Sequence, residues 1–263
     1  MFPIKKCGIY CIKGGDVMPR IFLSPSLQPY NEYYGSGNEQ EYMNKLADAM
    51  IPYLRTNGIQ YTRNKIGTSV GQSIRDSNAG YYDLHLALHS NAAPESMAGK
   101  LQGTDVYYYA NSPFGKNAAE IIADNFKEIY PNPDLVKAVP TTTLAEVTKT
   151  NAPAVLIETA YHDNPQDAEW IRTHIQEMAA NLVKSLTDIF GIPFISTPVP
   201  ERTGTVTTQS TPLNIRSRPN LNAPIIGQIP KGAAMKVLGQ WENWYVVDYQ
   251  GTVGYSSSDY ITV

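Results

Sequence analysis

Apolar runs of strand length alternate with amphipathic stretches over the first two thirds of the chain. The runs lack a polar alternate face and stop at Gly, Pro or polar residues, which is typical of strands buried on both sides. Five such strands are predicted, at 20–23, 59–62, 83–89, 106–109 and 154–158. Helical spacing of apolar residues predicts helices over 38–54, 69–79, 112–129 and 164–189. We therefore predict an α/β fold with a mostly parallel sheet and helices on both faces.

The pattern changes after residue 192. Residues 193–203 hold three prolines together with Ser and Thr, which is typical of a linker. Beyond them, short apolar runs without helical period lie at 213–216, 225–229, 235–238, 244–247 and 252–255, separated by Gly, Pro and Asn. This spacing predicts a small all-β barrel. The predicted organisation is an N-terminal tail at 1–18, the α/β domain at 19–192, the linker at 193–203 and the barrel at 204–263.

Composition excludes several classes of protein. Hydrophobic residues make up 42% and charged residues 17% of the chain, as in a globular protein with a substantial core. A net charge of −3 argues against a nucleic-acid-binding surface. No apolar run approaches the roughly 20 residues that span a bilayer.

Cys7 and Cys11 form a single C-x3-C pair, which makes neither a four-ligand zinc site nor a disulfide framework. No ordinary export signal is visible, because 13–16 interrupts the short N-terminal apolar run.

Charged and imidazole side chains at the ends of core elements are the candidates for chemistry. His89 ends one buried strand, Glu158 ends another, and Glu39 lies in the first turn after the predicted helix cap Asn38. Ligands of open α/β sheets bind at the carboxyl ends of strands. A carboxylate in that position must be paired, metal-bound or shifted in pKa. A functional site is therefore predicted at these three residues, and a surface salt bridge is the alternative for Glu158.

The four histidines are predicted to have different roles. His85 and His89 share one face of a strand but lie about 13 Å apart, four residues at about 3.3 Å each. With Zn–N bonds of about 2.0 Å, the two cannot bind one zinc ion. His85 is therefore predicted to be a hydrogen-bonded core residue. His162 is predicted in a loop or supporting role, and His174 at a solvated position within a helix.

Four segments together resemble a known enzyme family. They are the strand Ile21-Phe22-Leu23-Ser24-Pro25-Ser26, the helix start Asn38-Glu39 leading to Leu46-Ala47-Asp48, the motif Leu88-His89-Ser90-Asn91-Ala92, and the segment from Ala154 to Asn164. Residues 20–190 thus resemble the zinc-dependent N-acetylmuramoyl-L-alanine amidases of the amidase-3 type. The resemblance implies a twisted mixed sheet and a His-Glu-His zinc site with a catalytic glutamate. Such enzymes cut the bond between the lactyl group of muramic acid and the first L-Ala of the stem peptide.

Carried over residue by residue, the resemblance assigns three roles. His89 matches the second histidine ligand of the zinc, and Glu158 matches the catalytic glutamate. Glu39 matches the ligand glutamate, and Glu41 is the alternative two residues further on.

The first histidine ligand of the family is missing from this chain. The first strand of the family usually ends in Asp-Pro-Gly-His, and here the aligned residues are Ser24-Pro25-Ser26-Leu27. Leu27 cannot bind a metal ion. The third zinc ligand is then Gln28, Asn31, His162 or a second water molecule, and we favour Gln28.

The C-terminal part resembles a bacterial SH3 domain. The residues that carry this resemblance run from Leu213 to Pro219 and from Trp244 to Tyr255. Such domains commonly bind cell-wall peptides and hold an attached hydrolase at its polymer. Aromatic side chains are the expected contacts if they are exposed, and a place in the small core is the alternative; they are Trp241, Trp244, Tyr249 and Tyr255.

These observations predict a two-domain peptidoglycan hydrolase with Zn²⁺ as cofactor. The expected partner is peptidoglycan, the expected site of action is the cell wall outside the cell, and the expected state is a monomer. A catalytically inactive peptidoglycan-binding protein of the same fold is the main alternative, motivated by the missing histidine. A zinc peptidase or deacetylase acting on the same polymer is a weaker alternative.

Overall fold

The computed structural model describes residues 17–263. Residues 1–16 of the predicted tail, with Cys7 and Cys11, lie outside the described residues. Between residues 17 and 263, no helix is both long enough and apolar enough to cross a membrane.

The first part of the chain folds as a six-stranded sheet with helices on both faces. Its elements are β1 (Arg20–Pro25), α1 (Glu39–Thr56), β2 (Gln60–Arg63), α2 (Val70–Asn78), β3 (Leu84–Asn91), β4 (Thr104–Tyr109), α3 (Pro113–Phe126), β5 (Val136–Thr141), α4 (Ala145–Thr148), β6 (Ala154–Tyr161), α5 (Pro165–Thr173) and α6 (Ile175–Phe190). The strand order is β2-β1-β3-β6-β4-β5. All neighbours are parallel except β4 and β6, so the predicted mixed, mostly parallel sheet is confirmed.

Side-chain alternation along β3 divides the sheet into two different faces. Leu84, Leu86 and Leu88 lie in the main hydrophobic core, together with apolar residues of α1 and α6. The alternate positions, His85 and His89, are turned to the other face, where they contact residues of α2 and α4. β3 lies between β1 and β6, so buried polar side chains on it need hydrogen-bond partners from the elements packed on the sheet.

Three departures from the predicted elements have local causes. The predicted loop 131–143 contains β5, an edge strand that pairs only with β4 and tolerates Pro140 for that reason. The helical turn α4, which follows this loop, was not predicted because four residues are too few to show a helical period. The predicted helix 164–189 breaks into α5 and α6 at His174, whose ring stacks on Trp170 with Nδ1 2.9 Å from the Trp170 carbonyl oxygen. The prediction that His174 lies within a helix is therefore wrong, whereas its side chain is 37% exposed, in keeping with a partly solvated position.

The second part is an antiparallel sheet of seven strands. They are β7 (Arg202–Val206), β8 (Leu213–Arg216), β9 (Ile225–Ile229), β10 (Ala234–Trp241), β11 (Trp244–Tyr249), β12 (Thr252–Ser257) and β13 (Ile261–Thr262), in the order β13-β7-β10-β11-β12-β8-β9. Ile215, Ile229, Val237 and Val247 form its own core. The predicted small all-β unit is confirmed.

Two of the aromatic residues expected to bind peptides are buried. Tyr255 is 0% and Trp244 is 7% exposed, and both belong to the core that the sheet shares with the α/β part. Tyr255 therefore takes the core position that was the alternative to peptide contact. Trp244 is mostly buried, but it also lines an open groove on the barrel. Trp241 and Tyr249 are partly exposed.

The barrel is held against the end of α1 by backbone and side-chain contacts. Asn57 donates to the Ile195 carbonyl oxygen and accepts from the Ile195 amide, at 3.1 and 2.6 Å. Gly58 has φ +70°, and Val246 of the barrel would contact any Cβ placed there. On the opposite side of the interface, Arg218 donates to the Phe190 carbonyl oxygen at 2.8 Å. Ile195 and Val199 of the predicted linker therefore form hydrogen bonds with residues at the C-terminal end of α1.

Candidate active site

The three predicted site residues meet at the carboxyl edge of the α/β sheet. His89 and Glu158 are register partners on the adjacent parallel strands β3 and β6. Glu39, in the first turn of α1, places its carboxylate Oε1 2.8 Å from His89 Nδ1. Glu41, the alternative to Glu39, instead pairs with Lys45 on the surface at 2.6 Å. The geometry thus favours Glu39 as the glutamate of the site.

The His89 ring is held between two buried carboxylates. Its Nδ1 contacts Glu39, and its Nε2 lies 3.0 Å from Glu146 Oε2. Burial by itself would lower the pKa of His89, but the hydrogen bonds to Glu146 and Glu39 outweigh it and raise that pKa well above its usual value. In the absence of a metal ion, the two carboxylates therefore favour the protonated form of the His89 ring.

The loop after β1 supplies two amide side chains to the Glu39–His89 pair. Asn31 donates to Glu39 Oε2 at 2.5 Å, and the Gln28 amide lies 3.3 Å from His89 Nδ1. Burial opposes ionisation of Glu39, but hydrogen bonds from His89 and Asn31 outweigh it, so the pKa of Glu39 lies below its usual value. Of the residues considered as third ligand, Gln28 is the one whose side chain reaches the ring of His89.

His162 contacts the site indirectly. Its Nδ1 lies 2.8 Å from the Ser90 carbonyl oxygen and 3.1 Å from Ser90 Oγ, and its ring stacks on Tyr33. Ser90 in turn donates its backbone N–H to Glu39 at 3.3 Å. The predicted supporting role of His162 is therefore consistent with its position.

Glu146, on the single turn α4, was not found by sequence analysis. Its Oε1 accepts a hydrogen bond from Ser24 at 2.5 Å and lies 3.2 Å from His85 Nε2, while its Oε2 lies on His89. Burial opposes its ionisation, but hydrogen bonds with His85 and His89 outweigh this and hold the pKa of Glu146 well below its usual value. The one available signal was His85 itself, since a histidine inside an apolar strand requires a polar partner somewhere.

His85 has the environment predicted for a core residue. It is 0% exposed, its Nδ1 lies 3.0 Å from Ser77 Oγ, and its ring stacks on Phe22. The carboxylate of Glu146 connects its Nε2 to that of His89. The two histidines therefore share a carboxylate on their common face.

Glu158 differs from the other carboxylates of the site because it lacks a partner. Its Oε2 atom is buried and makes no hydrogen bond among the described residues. Burial, reinforced by the charges of Glu39 and Asp105, raises the pKa of Glu158 to about 7, although the nearby His89 opposes the shift. Asp105 is its register partner on β4, and burial raises the pKa of that carboxyl as well. Glu158 is thus poised to gain and lose a proton near neutral pH.

This shift predicts a pH-dependent stability. Because the pKa of Glu158 is raised in the folded state, its favourable contribution is complete below the unfolded value near 4.5 and is lost as pH rises through about 7. In metal-free protein, the wild type should lose stability as pH rises from about 5 to about 8, whereas Glu158→Gln has no such group. The free energy of unfolding of Glu158→Gln relative to the wild type should therefore increase by about 2 kcal/mol over this range. Urea denaturation at both pH values measures this. The exposed Glu128→Gln is the control, and an equal wild-type-to-variant difference at both pH values would contradict the shift.

Residues 31–188 match the N-acetylmuramoyl-L-alanine amidase family, and residues 211–262 match the bacterial SH3 domain. The first match spans more than half of the chain and includes Glu39, His89 and Glu158. The chain belongs to the N-acetylmuramoyl-L-alanine amidase family. Members of this amidase family generally depend on zinc. No curated protein matches the chain at a significant level.

Solved structures of other amidases share the fold of this family member. N-acetylmuramoyl-L-alanine amidase AmiC2 of Nostoc punctiforme superimposes with a TM-score of 0.58 at 15% identity, covering 66% of this chain and 97% of that one. Amidase Ami1 of Mycobacterium smegmatis gives 0.58 at 15% identity, with 66% and 98% coverage. The catalytic domain of the CD27L endolysin, which targets Clostridia difficile, gives 0.54 at 23% identity, with 65% and 97% coverage.

The donor set of this amidase-family chain can be tested for zinc. Among residues 17–263, no group of three His, Cys, Asp or Glu side chains is arranged to hold a metal ion. Two strong donors do lie together, the Glu39 carboxylate and Nδ1 of His89, and the Gln28 amide reaches the same nitrogen. The amide of Gln28 can present its oxygen instead of its nitrogen after a simple flip. Glu39, His89 and the weaker donor Gln28 are therefore the residues that would hold a zinc ion at this site.

Proposed function

We propose that this chain hydrolyses the amide bond between N-acetylmuramic acid and L-alanine in peptidoglycan, with Glu39, His89 and Glu158 in the roles that their family positions imply. The observation that carries the proposal is the convergence of these three residues at one sheet edge. Glu39 contacts His89 directly, and Glu158 is the strand neighbour of His89. The Oε2 atom of Glu158 is also buried without a hydrogen-bond partner among the described residues.

In this proposal, Glu39, His89 and Gln28 are the residues that would hold zinc. Bound there, zinc would polarise the scissile carbonyl group and acidify a water molecule. A histidine nitrogen binds a metal ion only without its proton, so His89 would bind zinc through a deprotonated Nδ1, the nitrogen that faces Glu39. Asn31 keeps its hydrogen bond to the second oxygen of Glu39 and fixes that carboxylate.

Glu158 carries the proton transfers. As a carboxylate it accepts a proton from the attacking water, whose oxygen forms the new bond to the carbonyl carbon. The protonated carboxyl then donates to the leaving nitrogen as the C–N bond breaks, which yields a free L-Ala amine and a lactyl carboxylic acid that then loses its proton to solvent. A pKa of about 7 suits both steps, because neither protonation state is strongly favoured near neutral pH.

The barrel is proposed to hold the enzyme on its polymer. An open groove of about 510 Å³ lies on it, lined in part by Arg216, Leu221 and Tyr260. Leu221 and Tyr260 are 74% and 49% exposed, so apolar peptide groups can contact them without rearrangement. Peptidoglycan is thus the proposed partner of both domains, the cell wall the proposed place of action, and a monomer the proposed state. Binding at the barrel raises the local concentration of stem peptide at Glu158.

Digestion of purified peptidoglycan tests the bond that is cut. We expect free stem peptides whose amino terminus is L-Ala, with no increase in reducing sugar ends, measured by amino-terminal labelling and mass spectrometry. Cleavage inside the stem peptide or release of acetate would favour the peptidase or deacetylase alternative. Binding to peptidoglycan without any product would favour the inactive binding protein, which Leu27 at the position of the family's first histidine motivates.

A further inference from the structure

We propose that Glu146 is a positioning residue of the site: it holds the His89 ring through Nε2 and so presents Nδ1 to the metal. This inference rests on the proposed function for the identity of the bound group. It concerns a residue outside the family motif segments, on a helical turn distant in sequence from both Glu39 and His89. Its argument rests on contacts between side chains that are almost fully buried.

The position of Glu146 is fixed by its neighbours. Val147, the next residue on α4, packs between Ala87 of β3 and Leu156 of β6. This contact holds the turn against the face of the sheet that carries both histidines. Glu146 is 4% exposed, so its carboxylate cannot turn to solvent.

One oxygen of Glu146 is fully engaged, which leaves the other for His89. Oε1 accepts from Ser24 at 2.5 Å and pairs with His85 Nε2 at 3.2 Å. Ser24 is fixed in turn by Ser73, whose Oγ lies 2.8 Å from Ser24 Oγ. Oε2 has His89 Nε2 at 3.0 Å. Ser24 and His85 therefore hold the Glu146 carboxylate in place, and its Oε2 is the acceptor that faces His89.

The consequence concerns the tautomer of His89. A proton on Nε2 that donates to Oε2 fixes the ring plane and leaves the Nδ1 lone pair for a metal ion. Nδ1 is also the nitrogen that faces Glu39 and Gln28. A carboxylate on the far nitrogen of a metal-bound histidine fixes the ring and increases its basicity, and its removal typically weakens metal binding about 10- to 100-fold. In a site with one histidine and a weak amide donor, this support matters more than in a site with two histidines.

Two variants and two measurements test the proposal. Glu146→Ala removes the acceptor, whereas Glu146→Gln keeps an oxygen that accepts the Nε2 proton but has no charge. The exposed Glu128→Ala is the matched control. Zinc affinity is measured by competition with a chelator of known affinity. Independently, nitrogen-15 NMR of metal-free protein follows the Nε2–H signal of His89, assigned with His89→Gln among only four histidines.

Glu146→Ala should weaken zinc binding about 10- to 100-fold and lose the slowly exchanging Nε2–H signal. Glu146→Gln should keep that signal and lose less affinity. Unchanged zinc affinity in folded Glu146→Ala would overturn the proposal, as would equal losses in both folded variants. If Glu146→Ala does not fold, the NMR signal of Glu146→Gln decides, and its absence overturns the proposal. A wild type that binds no zinc would contradict the proposed function, while the NMR comparison would still decide the role of Glu146.

Discussion

Replacing Glu158 by Gln should lower the rate of peptidoglycan hydrolysis about 100- to 10,000-fold, the usual contribution of a positioned acid–base group. Glutamine has nearly the same shape, but it can neither take a proton from water nor donate one to the leaving amine. Because Glu158 makes no hydrogen bond among the described residues, the exchange disrupts no existing contact. The initial rate of release of L-Ala amino termini measures the effect.

Two controls make this experiment decisive. Glu128→Gln changes an exposed glutamate and should retain the wild-type rate. Zinc content of Glu158→Gln should equal that of the wild type, since Glu158 is not among the proposed ligands. A variant that keeps zinc and also keeps its turnover would remove Glu158 from the mechanism.

The wild type should hold about one zinc ion per chain, and both Glu39→Ala and His89→Ala should lose it together with activity. Each removes one of only two strong donors, and the remaining donors are too few for a stable site. Gln28→His should bind zinc more tightly than the wild type, because imidazole is a better zinc ligand than an amide, and Gln28→Ala should bind it more weakly. Elemental analysis and chelator competition measure these effects.

The opposite directions of the two Gln28 variants identify the third ligand. If neither changes zinc affinity, Gln28 is not a ligand, and Asn31, His162 or water remains. Less than about a tenth of a zinc ion per wild-type chain after supplementation would contradict the metalloenzyme proposal. The inactive peptidoglycan-binding protein would then be the better description.

The elements that carry Glu39, His89 and Glu158 could be predicted from sequence, because each depends on a local signal. Asn38 does cap α1, accepting from the Glu41 amide at 2.9 Å. The apolar runs of β3 and β6 are as expected for central strands, and strand register then places their terminal polar residues side by side. Local signals and the parallel topology are therefore sufficient to predict that Glu39, His89 and Glu158 lie together.

Glu146 could not be predicted because its contacts are not local. It lies 61 residues from His85 and 122 from Ser24 along the chain, on one helical turn without periodicity. Nothing in the residues around it distinguishes it from an exposed glutamate. The same limit applies to Trp244 and Tyr255, because strand alternation does not tell which face of a small sheet is covered by another domain.

The packing of the barrel on α1 has a consequence for how the protein would work on an ordered polymer. Ile195 and Val199 form hydrogen bonds at the C-terminal end of α1, and Arg218 donates to the carbonyl oxygen at the end of α6. The distance between the groove on the barrel and the sheet edge with Glu158 is therefore set by side-chain packing and not by the length of a flexible linker. A stem peptide bound in the groove would then determine which neighbouring stem can reach Glu158.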